Sequence, residues 1–543
     1  MFPIASKDVS LSAFSEERQS RLRELKRRIP QTEKIHRDVL MIHIEHNASR
    51  PVNRLPQELL ADIFAMSYTS YLEEETPACI TRWPPDVMLV CGFWRHVAVQ
   101  TPALRNRLDV TEAPELALYL ANRFTGGRLC VCLHTKGGEP PSDRSMSAFC
   151  QLMLSHPSRI SELYVVVKSI SLDTSMDAAL NAFQQRANAL TTLDLTFWGD
   201  DDQQPVLAQF CSFNAPALRN LAIAPAFKHM WTSNVMRSPR LRHLVVQSSP
   251  MTSIENAMAD TLQALENLPE LESLTLNDSL AETQGSTPMA NVPSLRKLRM
   301  SYRKTSQCIG VLKGMQLQEP LSELWLSCYE NAVEDWDEHL PELWHLTHMH
   351  LPNREVSVEL TTFFIVILSN DALGGHTFSL TLDEVQDDTA SPRLFLLIDR
   401  LFQQTGVTLS SLILMDVVSL NVTTIRNILL RFPSIRHLQT AGVENTAALM
   451  QAFRQEEEER SSLSPRVILP DLRSLQIVRA MESKLTPWFN MCLAELRNRY
   501  RPHLKGDMSV FRTLILHECV GLKQGDIELV RSVVPELRVT ALN

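Results

Sequence analysis

The feature that most constrains the fold is a short apolar pattern that recurs every 23 to 39 residues over most of the chain. It reads apolar-x-x-apolar-x-apolar, and this alternation is typical of a short β-strand with one buried face. One such unit cannot bury its apolar face alone, so neighbouring units have to stack. The pattern begins at Ile160, Leu190, Leu218, Leu241, Leu271, Leu295, Leu321, Leu346, Thr377, Leu409, Ile435, Leu472 and Phe511.

A proline two residues before many of these strands marks the turn that leads into them. These prolines are Pro216, Pro239, Pro269, Pro293, Pro433 and Pro470. The stretches between strands carry a helical period, most clearly over 254–268, 392–404, 422–431, 445–458 and 482–500. Leucine accounts for 78 of the 543 residues, which fits a chain built from such units.

One strand and one helix per unit resembles the leucine-rich repeat, over about 390 residues. The resemblance implies an α/β fold, a curved solenoid with parallel strands inside and helices outside. The family's asparagine or cysteine, eight positions after the first leucine, is largely missing; only Cys519, counted from Phe511, occupies it. Upstream, Leu129, Val131 and Leu133 alternate and predict an earlier strand.

Two short amphipathic helices are predicted before the repeats. The string RLPQELLADIF places Leu55, Leu59, Ile63 and Phe64 on one stripe, with Pro56 in the first turn, where its missing N–H costs nothing. A second helix is predicted over 87–100, capped by Asp86 and ended by Thr101-Pro102. Two such helices need a partner for the apolar faces that they cannot bury against each other.

These residues resemble the F-box, most closely that of fungal proteins. The match consists of Leu55-Pro56-Gln57-Glu58, Val90-Cys91-Gly92-Phe93-Trp94 and Thr101-Pro102-Ala103-Leu104. Two departures are Arg105, where a tryptophan often stands, and Gly92 inside the second helix. The resemblance implies that this segment docks the Skp adaptor of an SCF-type cullin-RING ubiquitin ligase. The implied adaptor-binding residues are Leu55, Pro56, Glu58, Leu59, Ile63, Phe64, Val90, Cys91 and Trp94.

Four segments follow from this reading. Residues 1–50 form a basic amphipathic helical arm, 51–108 the F-box, 109–155 a connector with a first irregular repeat, and 156–543 the repeat solenoid. The basic face of the arm is interpreted either as a nuclear-import patch or as an ordinary solvated helix face.

Charge and composition exclude several classes of protein. A formal net charge of −9 gives no global basic field for nucleic acid or anionic lipid, so neither partner is expected. The start of the chain lacks a secretory leader pattern, and the longest apolar run, 363–368, is far too short to span a bilayer. The ten cysteines include no CxxC pair. We therefore expect reduced cysteines and a cytoplasmic or nuclear location.

No catalytic or cofactor motif occurs in the chain, and neither an enzyme nor a cofactor is expected. His348 and His350 share one face of a predicted strand, but a tetrahedral metal site needs further ligands, so no metal is expected. Cys130 and Cys132 are interpreted as strand residues without a redox role, since nothing nearby in sequence lowers a thiol pKa.

The expected function is binding on the outward face of the predicted sheet. One column of predicted outward residues runs Tyr164, Asp194, Ala222, Val245, Thr275, Arg299, Trp325, His350, Thr381, Ile413, Gln439, Gln476 and Ile515. The candidate substrate-binding patch is Lys297, Arg299, Glu323, Trp325, His348 and His350, because tryptophan and arginine are enriched at binding hot spots. The alternative to a ligase receptor is a non-degradative interaction scaffold.

Overall fold

The chain divides into two compact units, Met1–Lys168 and Ser169–Asn543. The computed structural model describes residues 41, 50–74, 90–135, 139–170, 173–197, 203–227, 229–248, 258–278, 289–302, 304–319, 321–328, 333–347, 355–360, 364–370, 377–383, 399–414, 422–442, 446–449, 451–453, 469, 471–478, 512–517, 519, 527–528, 531, 534 and 536–540. The predicted N-terminal arm therefore lies outside the described residues, apart from Met41 and Arg50.

The first unit begins with short helices. A 3-10 turn over Pro51–Arg54 leads into helix α1, Gln57–Glu74, which Pro56 precedes. Helix α2 covers Gly92–Gln100, and a single turn, α3, covers Pro102–Arg105. We refer to residues 50–105 as the helical segment.

Three parallel strands complete the first unit. They are β1, Arg107–Asp109, β2, Leu129–His134, and β3, Ile160–Val167, with α4, Pro114–Arg123, and α5, Asp143–Ser155, between them. β2 pairs in parallel with both β1 and β3. β2 confirms the strand predicted from the alternation of residues 129–133, whereas the sequence pattern did not predict β1. The first strand thus starts inside the segment assigned to the F-box.

The second unit is dominated by strands. They are β4, Thr192–Phe197; β5, Asn220–Ala224; β6, His243–Gln247; β7, Ser273–Asn277; β8, Ala290–Asn291; β9, Lys297–Tyr302; β10, Met315–Gln316; β11, Glu323–Cys328; β12, Glu355–Leu360; β13, Phe364–Asn370; β14, Thr377–Asp383; β15, Thr408–Leu414; β16, His437–Ala441; β17, Ser474–Val478; β18, Thr513–His517; and β19, Glu536–Thr540.

Parallel pairing joins these strands into two blocks. In the first block β4, β5, β6, β7, β9 and β11 pair in that order. In the second block β15 to β19 pair in sequence order. β8 and β10 form a separate parallel pair. Repeated strand–connector units stacked by parallel pairing make this a mixed α/β, leucine-rich-repeat-like fold.

A three-stranded insertion joins the two blocks. β14 pairs in parallel with β11, β13 is antiparallel to both β14 and β12, and β12 pairs in parallel with β15. Along the sheet the order is therefore β11, β14, β13, β12, β15. The sequence pattern did not predict the antiparallel direction of β13. Apolar residues alternate with a period of two in parallel and antiparallel strands alike.

The prediction of a strand starting at Leu346 is wrong. Residues Val333–Thr347 form helix α10, and Leu340, Leu343, Trp344 and Thr347 are at most 1% exposed. Their spacing of three and four residues is the helical period, and it overrides the short apolar pattern that happens to overlap it. His348 and His350 lie outside the described residues.

The other helices of the second unit are α6, Thr174–Arg186; α7, Gln204–Cys211; α8, Met258–Glu266; α9, Thr305–Gly314; and α11, Val422–Arg431. α11 has the bounds predicted from the sequence, and α8 lies within the predicted range 254–268. Residues 399–405 and the described parts of 446–453 are also helical, while the helix predicted over 482–500 falls outside the described residues. None of the described helices has both the length and the apolar character that a membrane span requires.

The prolines before the strands act as predicted. In five repeats the N–H of the first apolar residue donates to the carbonyl three residues earlier, at 3.0 to 3.3 Å, with the proline second in the four-residue turn. Leu218 N–H thus bonds to Ala215 O, and Leu295 N–H bonds to Val292 O. Because proline fixes its own φ near the value that this turn position needs, the turn sets the register of each following strand.

Candidate functional site

A small apolar core holds the helical segment together. It consists of Leu60, Phe64, Val97, Ala98 and Leu104, each at most 2% exposed. Trp94 packs against this core, with its ring centroid 4.9 Å from that of Phe64. Its indole Nε1–H donates to Oδ1 of Asn53 at 2.5 Å, which ties α2 to the turn before α1.

Cys91 sets the start of α2. Its backbone is extended, and its Sγ accepts a hydrogen bond from the Trp94 N–H at 3.4 Å, so it acts as the N-cap. The sequence prediction of one helix over 87–100 is therefore wrong, because the helix begins at Gly92. At that first position Gly92 interrupts no helix interior and carries little of the cost expected for a mid-helix glycine.

Six large apolar side chains are exposed among the described residues of the helical segment. They are Val52 at 39%, Leu59 at 51%, Ile63 at 39%, Met66 at 63%, Val90 at 55% and Phe93 at 38%. Leu59, Ile63 and Met66 follow one another at four and three residues along α1, so they share a face. We call these six residues the apolar face.

The predicted adaptor-binding residues fall into three groups. Leu59, Ile63 and Val90 belong to the apolar face, and Pro56 and Glu58 are also exposed. Leu55, Cys91 and Trp94 are half-buried. Phe64 is 2% exposed and lies in the core, so it supports the exposed residues from beneath but cannot itself contact a partner.

Sequence reasoning missed Val52, Met66 and Phe93. Met66 lies three residues after Ile63, so the helical period carried a signal for it. Phe93 and Val52 gave no comparable signal, because their exposure depends on how α2 and the preceding turn pack against α1.

The outward face of β9 and β11 brings together four of the six predicted substrate-binding residues. Strand register sets Lys297 beside Glu323 and Arg299 beside Trp325. Arg299 Nε–H donates to Glu323 Oε1 at 2.6 Å, and Arg299 Nη2 forms an ion pair with the same oxygen at 2.5 Å. Lys297 Nζ lies 3.7 Å from Glu323 Oε2. We call these four residues the Trp325 patch.

Trp325 is the most exposed aromatic ring of this face among the described residues, at 46%. The guanidinium of Arg299 lies over it, with Cζ 5.3 Å from the ring centroid, a cation–π contact. One carboxylate thus holds two cations beside an exposed indole. The strand next to Trp325 is β14, with Ser379 in register, and not the predicted strand of His348 and His350.

The predicted outward column is wrong at Thr381, which lies in register with Ser327 and not with Trp325, and it is correct within the two blocks. Register places Asp194, Ala222, Val245, Thr275, Arg299 and Trp325 in one line. In the second block Ile413, Gln439, Gln476 and Ile515 form another. Burial raises the pKa of Asp194 to about 6, although a hydrogen bond from Thr196 Oγ1 at 3.0 Å opposes the rise.

The first unit carries a pair of thiols on β2. The Sγ atoms of Cys130 and Cys132 are 3.9 Å apart, and their contact raises the pKa of Cys130 and lowers that of Cys132. Arg107 on β1 lies in register with Cys130 on β2. Its positive charge acts to lower the pKa of both thiols, although the pKa of Cys130 stays raised overall. The expectation that nothing near these cysteines lowers a thiol pKa is therefore wrong, because β1 was not predicted. All eight described cysteines are free thiols, six of them buried.

The described residues contain no group of three or more histidine, cysteine, aspartate or glutamate side chains arranged to hold a metal ion. No family model matches the chain, and no curated protein sequence matches it. Among solved structures, the crystal structure of a TLR13–ssRNA13 complex is 14% identical, covering 70% of this chain and 46% of that chain, with a TM-score of 0.29. The chain spans less than half the length of that protein, and a match at this level supports no functional conclusion.

Proposed function

We propose that this chain is the substrate-recognition subunit of an SCF-type cullin-RING ubiquitin ligase in the cytoplasm or nucleus. In this proposal the F-box over residues 51–108 binds the Skp adaptor, which connects the chain to the cullin. The outward face of the parallel strands in the second unit binds a protein substrate. The chain itself catalyses no reaction and needs no cofactor.

The observation that carries the proposal is the apolar face of the helical segment. Among the described residues of this segment, five buried side chains form a core against which Ala61, Trp94 and Val99 pack, while six further large apolar side chains stay 38–63% exposed. Leu59, Ile63 and Met66 share one face of α1, and an exposed apolar patch on a helix supports a binding role for this region. The exposed set includes Leu59, Ile63 and Val90, three of the residues that the F-box resemblance assigns to the adaptor.

Burial of this face would supply a substantial part of the free energy of binding. Full burial of a large aliphatic side chain contributes about 1.5–3 kcal/mol, so finishing the burial of a half-exposed one contributes about 1 kcal/mol. Six such side chains therefore supply roughly 6 kcal/mol towards the cost of association. Polar contacts around the rim would supply the rest and set orientation.

Proximity is the proposed mechanism. A chain that binds the adaptor at one site and a substrate at another raises the effective concentration of substrate lysines near the conjugating enzyme. On the substrate side the Trp325 patch supports the proposal, since Glu323 fixes Arg299 and Lys297 before a partner arrives. Prior fixing reduces the side-chain entropy lost on binding.

Co-purification with the full chain tests the adaptor contact. The wild-type chain is expected to recover the Skp adaptor and cullin, and the double variant Leu59→Ala/Ile63→Ala is expected to recover neither. Leu154→Ala is the matched control, because Leu154 is 45% exposed on α5 of the same unit. Equal recovery by the double variant and the wild type would contradict the proposal.

The abundance of captured proteins separates a ligase receptor from a scaffold. If the chain is a receptor, its substrate accumulates in cells that carry the Leu59→Ala/Ile63→Ala variant in place of the wild type. If it is a non-degradative scaffold, the abundance of its partner does not rise. The comparison uses point substitutions because a deletion ending at residue 108 would cut β1, which covers Arg107–Asp109.

A further inference from the structure

Two thiols contact each other on strand β2 of the first unit. Cys130 and Cys132 are alternate residues of this strand, so their side chains lie on the same side of the sheet, and their Sγ atoms are 3.9 Å apart. Cys132 is 3% exposed, whereas Cys130 is half-buried, so the two thiols are not sealed from solvent. We call these two residues the thiol pair.

The thiol pair lies beside a positive charge. β1 places Arg107 in register with Cys130, and its guanidinium also lies over the ring of Tyr164, with Cζ 5.4 Å from the ring centroid. Contact with Cys130 lowers the pKa of Cys132, and Arg107 lowers it further, while burial and two nearby carboxylates oppose the fall. The two thiols therefore ionise as a unit, in which one thiolate is held between a thiol and a guanidinium.

Two other thiols, in the second unit, show that a short distance between sulfurs is not enough for reactivity. The Sγ atoms of Cys308 and Cys328 are 3.7 Å apart, but both residues are 0% exposed. Their contact and burial raise the pKa of Cys308 well above its ordinary value, and the negative charge of Asp278 raises it further. Buried thiols with a raised pKa are unreactive, so these two residues serve as the reference pair.

We propose that Cys130 and Cys132 form a site of reversible oxidation, at which hydrogen peroxide converts the two thiols to a disulfide. A thiolate of the pair attacks one peroxide oxygen, the O–O bond breaks, and the attacking sulfur becomes a sulfenic acid. The second sulfur attacks the sulfenic sulfur, so the S–S bond forms as the S–O bond breaks. The two thiol protons and the two peroxide protons leave with the oxygens as two waters. Each sulfur gives up one electron, and the peroxide takes up both.

The strand geometry allows this bridge and keeps it easy to reduce. Alternate residues of a strand lie about 6.6–6.8 Å apart at Cα, and disulfides span separations up to about 6.8 Å. Opposite the thiol pair, β3 carries one extra residue, because Leu129 pairs with Ile160 and Cys130 pairs with Glu162. Such a bulge increases the local twist, and a more twisted strand is shorter. A bridge at the upper end of the range is strained, so small thiols reduce it again.

Peroxide treatment of the reduced full chain, followed by alkylation, tryptic digestion and mass spectrometry, tests the proposal. Cleavage after Arg128 and Lys136 releases residues 129–136, which contain both thiols of the pair and no other cysteine. With one equivalent of peroxide this peptide is expected to lose two hydrogen atoms and to become resistant to alkylation. Its oxidation should be roughly tenfold faster than that of the reference pair, and dithiothreitol should restore both thiols.

Charge variants test the role of the guanidinium in this reaction. Arg107→Gln is expected to slow formation of the disulfide about threefold, because the thiolate loses its neighbouring cation. Arg107→Lys keeps the charge and should stay within about twofold of the wild type. Arg123→Gln, which removes an exposed positive charge from α4 of the same unit, is the matched control and should leave the rate unchanged. Thermal melting of each variant verifies that it is folded.

Three results would overturn the inference. They are equal oxidation rates for the thiol pair and the reference pair, equal slowing by Arg107→Gln and Arg123→Gln, and oxidation of residues 129–136 that dithiothreitol does not reverse. The thiol pair shares no residue with the apolar face, so this chemistry goes beyond the proposed function and is measured without the adaptor.

Discussion

The helical segment and the sheet of the second unit differ in how much of their large apolar side chains they expose. Where the structure describes the helical segment, six large apolar side chains are exposed and five apolar residues are buried in its core. In the sheet the inward leucines, such as Leu244, Leu274 and Leu298, are at most 1% exposed. Among described outward positions there, only Val245 and Trp325 are exposed large hydrophobic residues. The difference indicates that one region offers a general apolar contact and the other a selective polar one.

The largest effect is expected where the helical segment is buried. Phe64→Ala removes the aromatic ring that packs against Trp94 and should cost about 3–5 kcal/mol of local stability. Leu59→Ala, on the exposed side of the same helix, should cost less than about 1 kcal/mol. Hydrogen exchange of peptides covering residues 57–66 and 92–100 measures both. If Leu59→Ala loses as much protection as Phe64→Ala, the division of α1 into a core side and an exposed side is wrong.

An intermediate effect is expected at Asp194 in the sheet. Its pKa of about 6 in the folded chain exceeds the unfolded value, so between roughly pH 4 and 6 the folded state holds a proton that the unfolded state has lost. The free energy of unfolding therefore falls as pH rises through this window. Asp194→Asn should remove this dependence and stabilise the chain at neutral pH by up to about 3 kcal/mol. Urea denaturation of the wild type and the variant at pH 4 and pH 7 checks it, and a difference in stability between the two chains that does not change with pH would disprove the assignment.

The smallest effect on stability is expected at Trp325. Its ring is 46% exposed and its main described contact is with the guanidinium of Arg299. Trp325→Ala should change the free energy of unfolding by less than about 1 kcal/mol while weakening capture of the protein substrate. Denaturation and pull-down on the same variant give both values. A loss above about 2 kcal/mol would mean that Trp325 supports the fold and would remove it from the candidate binding patch.

Most of the sheet could be predicted from the sequence because its apolar period coincides with a repeated turn. Each proline turn fixes a register, and register alone places Arg299 beside Trp325. The prediction failed at two places that lack such a turn. At Leu346 a longer helical period occupies the same residues, and the reversed order of β12, β13 and β14 depends on pairing between distant strands.

For the helical segment, the sequence predicts the apolar stripe of α1 but not which side chains on it are buried. The sequence places apolar residues on one stripe of α1, and it cannot tell which of them pack inwards until α2 is positioned. Cys91 shows the same limit. Its role as a cap depends on its extended backbone, which separates α2 from the helical residue before it, Val90.

A calorimetric titration of the Skp adaptor into the full chain tests the central claim most directly. The wild type and Leu154→Ala should bind the adaptor with equal affinity. Leu59→Ala/Ile63→Ala should weaken binding about thirtyfold, about 2 kcal/mol, with little change in melting temperature. An affinity of the double variant within twofold of the wild type, in a folded chain, would contradict the claim that the apolar face is the adaptor site.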